Sequence, residues 1–345
     1  MIILHTANFD RKKSYRAMYN CDYKINNGMI RSGHAVYSFS DRDVARESNP
    51  LNISKLGKKT ANKKWLQIFK TIEPDLVLLG HADIITNETL ETAKSLKNNL
   101  KIAYYNVDAL FVPSNIAAIK KRVGVVDTIY ITTGGNEIKQ FEAENTKSFF
   151  IPNPLDNSIE MGKAFENSNQ EYDVIFCTVR SNESDARVKF MLELQEKLPD
   201  VKFGLYGMLG KDSVFGAEYL RVLPNAKMAV NLSRTGDRGY SEQHNYLYSS
   251  DRLSHIIGNG LLAFIDKNTG LSALYSDKEA VFYQDIKDLS DKILYYKNHD
   301  KERKEIAQNG WQKAQSEFNE RNVASYIVET TFSIPFSKKY IWAGM

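Results

Sequence analysis

The stretch YLYSSDRLSHIIGNGLLAFID, residues 246–266, packs Ser249, Ser250 and Arg252 into one turn ahead of an apolar run. Leu253, Ile256 and Ile257 are spaced to share one helix face, while Arg252 and His255 share the opposite one. Ser249 or Ser250 can cap the helix start. That start also offers unpaired N–H groups and a positive dipole, which suit a phosphate when a guanidinium stands beside them. Gly260 ends the helix and lets the next strand begin tightly. Upstream, AVNLSRTGDRGY runs from an apolar strand into Ser233, Arg234, Thr235 and Gly236. Hydroxyl, guanidinium, hydroxyl and glycine after a strand form a second candidate anion cradle. Two such sites on one sheet edge point to a diphosphate. On chemical grounds Arg180 and Arg234 are further phosphate candidates.

Acid–base candidates lie at strand ends in the N-terminal half. LLGHAD delivers His81 and Asp83, YYNVDAL delivers Asn106 and Asp108, and FSDRD delivers Asp41 and Asp43. Such residues serve as general bases or simply cap turns. His81 and Asp108 stand ahead of the others because buried-looking strands carry them. Asp41–Asp43 spells a DxD metal motif, but it follows the second N-terminal strand, away from the phosphate candidates, and no metal site is expected there. TTGGNE, Thr132 to Glu137, lacks the spaced glycines of a dinucleotide fingerprint and reads as a turn.

The elements that must position these groups alternate strand and helix. Expected strands are Ile2–His5, Ala35–Phe39, Leu76–Leu79, Ile102–Tyr105, Thr128–Ile131 and Ser148–Ile151. Helical patterns fall between them at Tyr15–Arg31, Ala61–Ile72, Glu88–Lys97 and Asn115–Arg122. After FFIPNPLDNS the series restarts with Val174–Val179, Phe203–Tyr206, Ala229–Leu232, Leu261–Ile265 and Ala280–Tyr283. This alternation predicts an α/β fold of two Rossmann-like domains, their parallel sheets facing a cleft. The expected boundaries are 1–153, 154–320 and a C-terminal helix and tail at 321–345. SKKYIWAGM, the amphiphilic tail, can pack back across the domains or touch a membrane.

With 345 residues the chain is long enough for two domains. Its two cysteines, Cys21 and Cys177, exclude a disulfide framework and a cysteine-rich metal site, and fit a cytoplasmic location. No apolar run approaches the length of a membrane span. Net charge is +4, and residues 1–150 hold 22 Lys+Arg against 15 Asp+Glu, a net of +7. The clusters Arg11–Lys13, Lys58–Lys64 and Lys120–Arg122 are solvated faces or a surface that meets an anionic acceptor or the inner face of an anionic membrane. No basic-aromatic module accompanies them, which speaks against nucleic acid.

YDVIFCTVRSNESDAR, FGLYG, the Arg252–Gly260 helix and KEAVFYQDIKDL, in that order and spacing, resemble the C-terminal domain of bacterial GT-B-fold glycosyltransferases, closest to the family 1, spore-maturation type. The resemblance covers roughly residues 173–326; the N-terminal half is similar in architecture only. It implies a transferase that moves a sugar from a nucleotide-sugar donor to a surface-glycan or lipid-linked acceptor, with no cofactor and no metal. By position it implies that the Arg252–Gly260 helix lies beside the donor diphosphate. Gly207 of LYG would then permit close approach of the nucleotide, Arg187 would begin a helix facing the cleft, and Glu279 would approach the ribose or sugar. One departure is plain: related helices carry a glutamate three residues after the arginine, where this chain has His255. The glutamate eight residues earlier is also missing, since Leu247 stands there, so retaining and inverting courses both remain open. A nucleotide-sugar epimerase or hydrolase of the same fold, and a non-catalytic sugar-nucleotide binder, are the rival functions.

Overall fold

A computed structural model describes residues 1–182, 184–208, 210–233 and 247–345, and omits the side chain of Arg180. Arg234, Thr235 and Gly236 of the second anion cradle lie outside the described residues.

The chain forms two compact units, Met1–Pro154 with Glu320–Met345, and Leu155–Asn319. The first begins with β1 (Ile2–Ala7), α1 (Cys21–Arg31), β2 (Ala35–Ser40), α2 (Asp41–Glu47) and α3 (Lys58–Ile72). It continues with β3 (Leu76–Leu79), α4 (Asn87–Leu96), β4 (Lys101–Asn106), α5 (Pro113–Lys120), β5 (Thr128–Ile131) and β6 (Lys147–Phe150). All six strands are parallel, in the order β2-β1-β3-β4-β5-β6. Strand β3, Leu-Val-Leu-Leu, is buried on both faces, as a central parallel strand between helix layers must be. From β1 the chain moves to one side for β2 and to the other for β3. The loops after β1 and β3 therefore diverge and open a crevice at the carboxyl edge.

Helix α1 starts at Cys21, not at Tyr15 as the apolar spacing suggests. Asn20 caps it, its Oδ1 accepting from the Tyr23 N–H at 3.2 Å. Ser14 and Tyr15 just before it are both left-handed, at φ 57°, a conformation that no helix continues through.

The second unit comprises β7 (Tyr172–Ser181), α6 (Ala186–Lys197), β8 (Phe203–Met208), α7 (Gly216–Val222) and β9 (Ala226–Asn231), followed by α8 (Asp251–Gly258). β10 (Leu262–Asp266), β11 (Val281–Tyr283), α9 (Ile286–Asn298) and α10 (Asp300–Glu317) complete it. Its parallel sheet has the order β11-β10-β9-β7-β8, so its switch point lies between β7 and β9. Phe176, Met191, Leu205, Val230 and Phe264 are among the buried side chains of its single apolar core.

The last helix, α11 (Glu320–Phe332), belongs to the first unit and packs along α1. Contact is close because Gly28 has no side chain: a Cβ there would stand 2.1 Å from the Glu320 carbonyl oxygen. Tyr130 of β5 secures the other flank, its hydroxyl 2.6 Å from Thr330 Oγ1 and 2.8 Å from Thr331 Oγ1. The tail folds back within the same unit, with Trp342 fully buried and the Tyr340 hydroxyl donating to Glu329 at 2.8 Å. Of the two expectations for the tail, packing is what its end shows, within the first unit alone. Among the described residues no helix is long and apolar enough to cross a membrane.

Gly28→Val should drive α11 off α1. The expected loss is about 1–3 kcal/mol of unfolding free energy in denaturant titration, with the α1–α11 seam the first region to lose amide protection.

Candidate functional site

In the first unit the site grows from a buried carboxylate. Asp22, on α1, is 1% exposed. Its Oδ1 accepts from the Tyr105 hydroxyl at 2.6 Å, and its Oδ2 lies 3.6 Å from His81 Nδ1. On its other side His81 Nε2 lies 3.4 Å from Asp108 Oδ2. Tyr105 is in turn 2.9 Å from His5 Nε2, so His5, Tyr105, Asp22, His81 and Asp108 form one chain of polar contacts. Strands β1 and β4 supply His5 and Tyr105, helix α1 supplies Asp22, and the loops after β3 and β4 supply His81 and Asp108.

Gly80 makes this possible, since a Cβ there would meet the Tyr105 hydroxyl at 2.3 Å and Asp22 Oδ1 at 2.6 Å. Asn106 sets the last link, its Oδ1 accepting from the Asp108 N–H at 2.9 Å. The Asp108 side chain is half exposed, and it alone of the five turns substantially to solvent.

The charges follow from these neighbours. Burial opposes a charge on His81, but Asp108 and Asp22 on either side hold its pKa well above the ordinary 6.5. Burial would likewise push Asp22 up, yet His81 and Tyr105 keep it below the usual carboxylate range. His5 has no such carboxylate in direct contact, and burial lowers its pKa. The chain thus pairs an imidazolium with two carboxylates, one sealed and one open. The expected pair His81 and Asp108 is brought together; Asp22, Tyr105 and His5 complete it without any local signal in sequence.

The other acidic candidates serve the scaffold. Asp43 accepts from the Arg11 N–H at 2.9 Å, the Lys12 N–H at 3.3 Å and the Ser40 hydroxyl at 2.6 Å. Asp41 is sealed under Ile84, whose N–H donates to it at 2.9 Å, and burial raises its pKa to about 7. Asp83 pairs with Arg42. The two carboxylates of Asp-Arg-Asp therefore face different partners.

In the second unit the candidates gather at the carboxyl ends of β7, β8 and β9. Ser250 caps α8, accepting from the Leu253 N–H at 3.3 Å and donating to Asn231 Oδ1 at 3.1 Å. Ser249 is buried beside it. Arg252 lies with its guanidinium 5.1 Å from the Phe176 ring centre and donates to the Leu232 carbonyl. Burial and then the charge of Arg187 push its pKa down, which places two guanidinium groups in one neighbourhood. Asp185 clamps Arg187 in a two-point pair at 3.0 and 2.6 Å, and this pair holds the aspartate down to about 2.

Asp251 begins α8 next to Arg252 and pairs with His255. The buried Nδ2 of Asn231 has no hydrogen-bond partner among the described residues, which leaves a free donor at the same edge. Gly207, at φ 73°, closes the edge: a Cβ there would stand 1.9 Å from the Thr178 carbonyl oxygen. Beyond it Tyr206, Lys211, Asp212, Ser213, Phe215 and Glu218 line a groove of about 650 Å³. Ser233 is described and half-buried, whereas Arg234, Thr235 and the Arg180 side chain are not described.

Two expected positions come out differently. His255 does not front an open site: it is 2% exposed, with Nδ1 2.7 Å from Glu160 and Nε2 3.2 Å from Asp251. Glu160, in the segment entering the unit, thus puts a carboxylate beside α8 from elsewhere in the chain. Glu279 precedes β11, and its carboxylate accepts from Ser276 N–H at 2.6 Å and Lys313 at 3.0 Å. Asn231 pairs with Ile265 in register and Ile265 with Phe282, whereas Glu279 sits in the turn that leads into the amino end of β11. It braces α10 and is not among the side chains gathered at the carboxyl edge.

Residues 182–329 match the family described as glycosyl transferase-like. Solved structures resemble the chain over nearly its whole length. Sucrose-phosphate synthase from Thermosynechococcus elongatus is 10% identical, with a TM-score of 0.64 over 96% of this chain and 98% of that one. AviGT4, a glycosyltransferase involved in avilamycin A biosynthesis, is 11% identical at 0.61, covering 96% and 97%. HepE of Anabaena, in complex with UDP-glucose, is 14% identical at 0.59, covering 97% and 100%. No curated protein matches the sequence. Two parallel-sheet α/β units of this kind are those of GT-B glycosyltransferases. The chain thus has the GT-B fold, and its residues 182–329 resemble a glycosyl transferase-like family.

The charge on His81 makes a pH prediction. A folded pKa raised above the unfolded one stabilises fully below the unfolded value and ceases to do so as pH rises through the folded value. The stability gap between wild type and His81→Gln should therefore be widest near pH 6 and narrow steadily into the alkaline range, in denaturation at a series of pH values. A gap independent of pH contradicts the ion pair.

Proposed function

We propose that the enzyme transfers a sugar from a nucleotide-sugar donor held by the second unit to a hydroxyl of a surface-glycan or lipid-linked acceptor received by the first. The observation that carries the donor half is the pair of arginines, Arg252 and Arg187, near the capped α8 N-terminus at the carboxyl edge of β7 and β9. Two guanidinium groups beside a helix N-terminus suit a diphosphate. The α8 N-terminus and the free Asn231 amide add donors of the kind that stabilise a departing phosphate. These groups can neutralise the leaving diphosphate themselves, so we propose a reaction that uses no metal. The aromatic groove at Tyr206 and Phe215 is of a size to take the nucleobase. HepE, similar in fold, was captured with UDP-glucose, which puts UDP-sugars first among donors to test.

In the acceptor half, Asp108 takes the proton of the attacking hydroxyl as the anomeric carbon exchanges its diphosphate oxygen for the acceptor oxygen. His81, held charged between Asp22 and Asp108, keeps the receiving carboxylate oriented and ionised. Asp22 touches no reacting atom and acts as a positioning residue.

Binding comes first among the tests. Thermal stabilisation by a panel of UDP-, GDP-, ADP-, dTDP- and CMP-sugars should single out one base, and Arg252→Ala should weaken that donor about 10- to 100-fold while the fold persists. Unchanged donor affinity in this variant sinks the phosphate assignment. Asp108→Asn should lower kcat by about 100-fold or more with donor KM unaltered. Asp22→Asn should lower it less and move the pH profile, because it acts through the histidine.

A further inference from the structure

A surface of the first unit, formed by the turn after β1 and the loop between α2 and α3, combines charge with exposed apolar side chains. Leu51, Ile53 and Leu56, between α2 and α3, are 69%, 46% and 60% exposed, and Tyr15 is 50% exposed. Isolated exposed leucines are ordinary, but a cluster this dense on a short loop marks an interaction surface. The loop is built to hold its shape. Asn49 bonds both backbone groups of Ile53, at 3.1 and 2.9 Å, and Gly57 passes so close to α2 that a Cβ would meet the Ala45 carbonyl at 1.8 Å.

The turn carrying Tyr15 is joined to this loop. Lys12 Nζ donates to Asn52 Oδ1 at 3.1 Å, and Asp43 of α2 holds the Arg11 and Lys12 backbone. Left-handed backbone at Asp10, Ser14, Tyr15 and Asn52 belongs to the same two segments, so both tips are held outward at a conformational cost.

The charge around these tips has one sign. The turn adds the exposed Arg11, Lys12, Lys13 and Arg16. Residues 47–64 carry Lys55, Lys58, Lys59, Lys63 and Lys64 against a single acidic residue, Glu47. We propose that this surface docks on an anionic lipid bilayer, with Leu51, Ile53, Leu56 and Tyr15 entering the headgroup–acyl boundary and the basic residues meeting the lipid phosphates. The combination selects this partner. A nucleic acid would use the charge but leave the aliphatic tips in water, whereas a bilayer offers an apolar layer directly behind its anionic one. The inference stands apart from the donor chemistry and uses none of its residues.

Sedimentation of the full chain with vesicles tests it. Binding to phosphatidylcholine vesicles containing phosphatidylglycerol should exceed binding to pure phosphatidylcholine by about tenfold or more, and should weaken as salt rises. Leu51→Ser with Leu56→Ser should lower binding to the anionic vesicles by about tenfold at an unchanged melting temperature. Lys13→Glu with Lys55→Glu should do the same. Equal binding by wild type and the serine variant would overturn the proposal, since charge alone would then suffice. So would an absence of vesicle binding, or concentration-dependent self-association that the serine variant abolishes, which would assign the surface to a second copy of the chain. Thermal stabilisation by UDP-glucose, read on the same preparations, separates failure here from failure of the donor reading.

Discussion

A carboxylate sealed from water must find compensation within the protein, and much of the first unit answers to that demand at Asp22. At 1% exposure an unpaired Asp22 would be strongly destabilising. Tyr105 and His81 supply the partners, and Gly80 must lack a side chain to let them meet. His81 thereby acquires its charge and its orientation, and Asp108 is left as the open end of the chain. The strands fix where each backbone leaves the sheet, but the buried charge fixes which way the side chains turn.

The second unit solves a similar problem twice, with different outcomes. Around His255 the account closes: Glu160 and Asp251 flank a buried imidazole, and the segment that enters the unit is thereby tied to α8. Gly258 allows the same approach, since a Cβ there would press on Leu155 and Glu160. Around Arg252 it does not close. A guanidinium lies over Phe176 with Arg187 nearby, and Asp185 pairs with Arg187 rather than with Arg252, the arrangement on which the proposed anion site rests. The two units thus differ in what they present. One gathers two guanidinium groups at its sheet edge, and the other offers an exposed carboxylate on a buried ion pair.

Much of this was legible in the residues. Strand–helix alternation is written in short apolar runs, so the parallel sheets and the strands carrying His81 and Asp108 could be read directly. The capped start of α8 was equally plain, because Ser250 and Arg252 are neighbours of the apolar stripe they precede. Asp22 was not legible. It sits inside a helix with no turn chemistry about it, and its partners come from strands about 60 and 80 residues away. The beginning of α1 was misplaced for a related reason: apolar spacing continues through Tyr15, but the left-handed turn and the Asn20 cap set the boundary.

His255 shows the division most clearly. Its neighbours in sequence mark it as unusual for such a helix, and nothing local says what replaces the expected glutamate. A carboxylate does stand beside the helix at that point, but it is Glu160, brought from 95 residues earlier by the fold. The sequence by itself determined the class of architecture, the strand ends near which His81 and Asp108 lie and the capped helix that carries Arg252, because each follows from local periodicity and capping. Only the tertiary structure decided which charges are paired and which stand open, since burial and Coulomb energy depend on neighbours that the order of residues does not name.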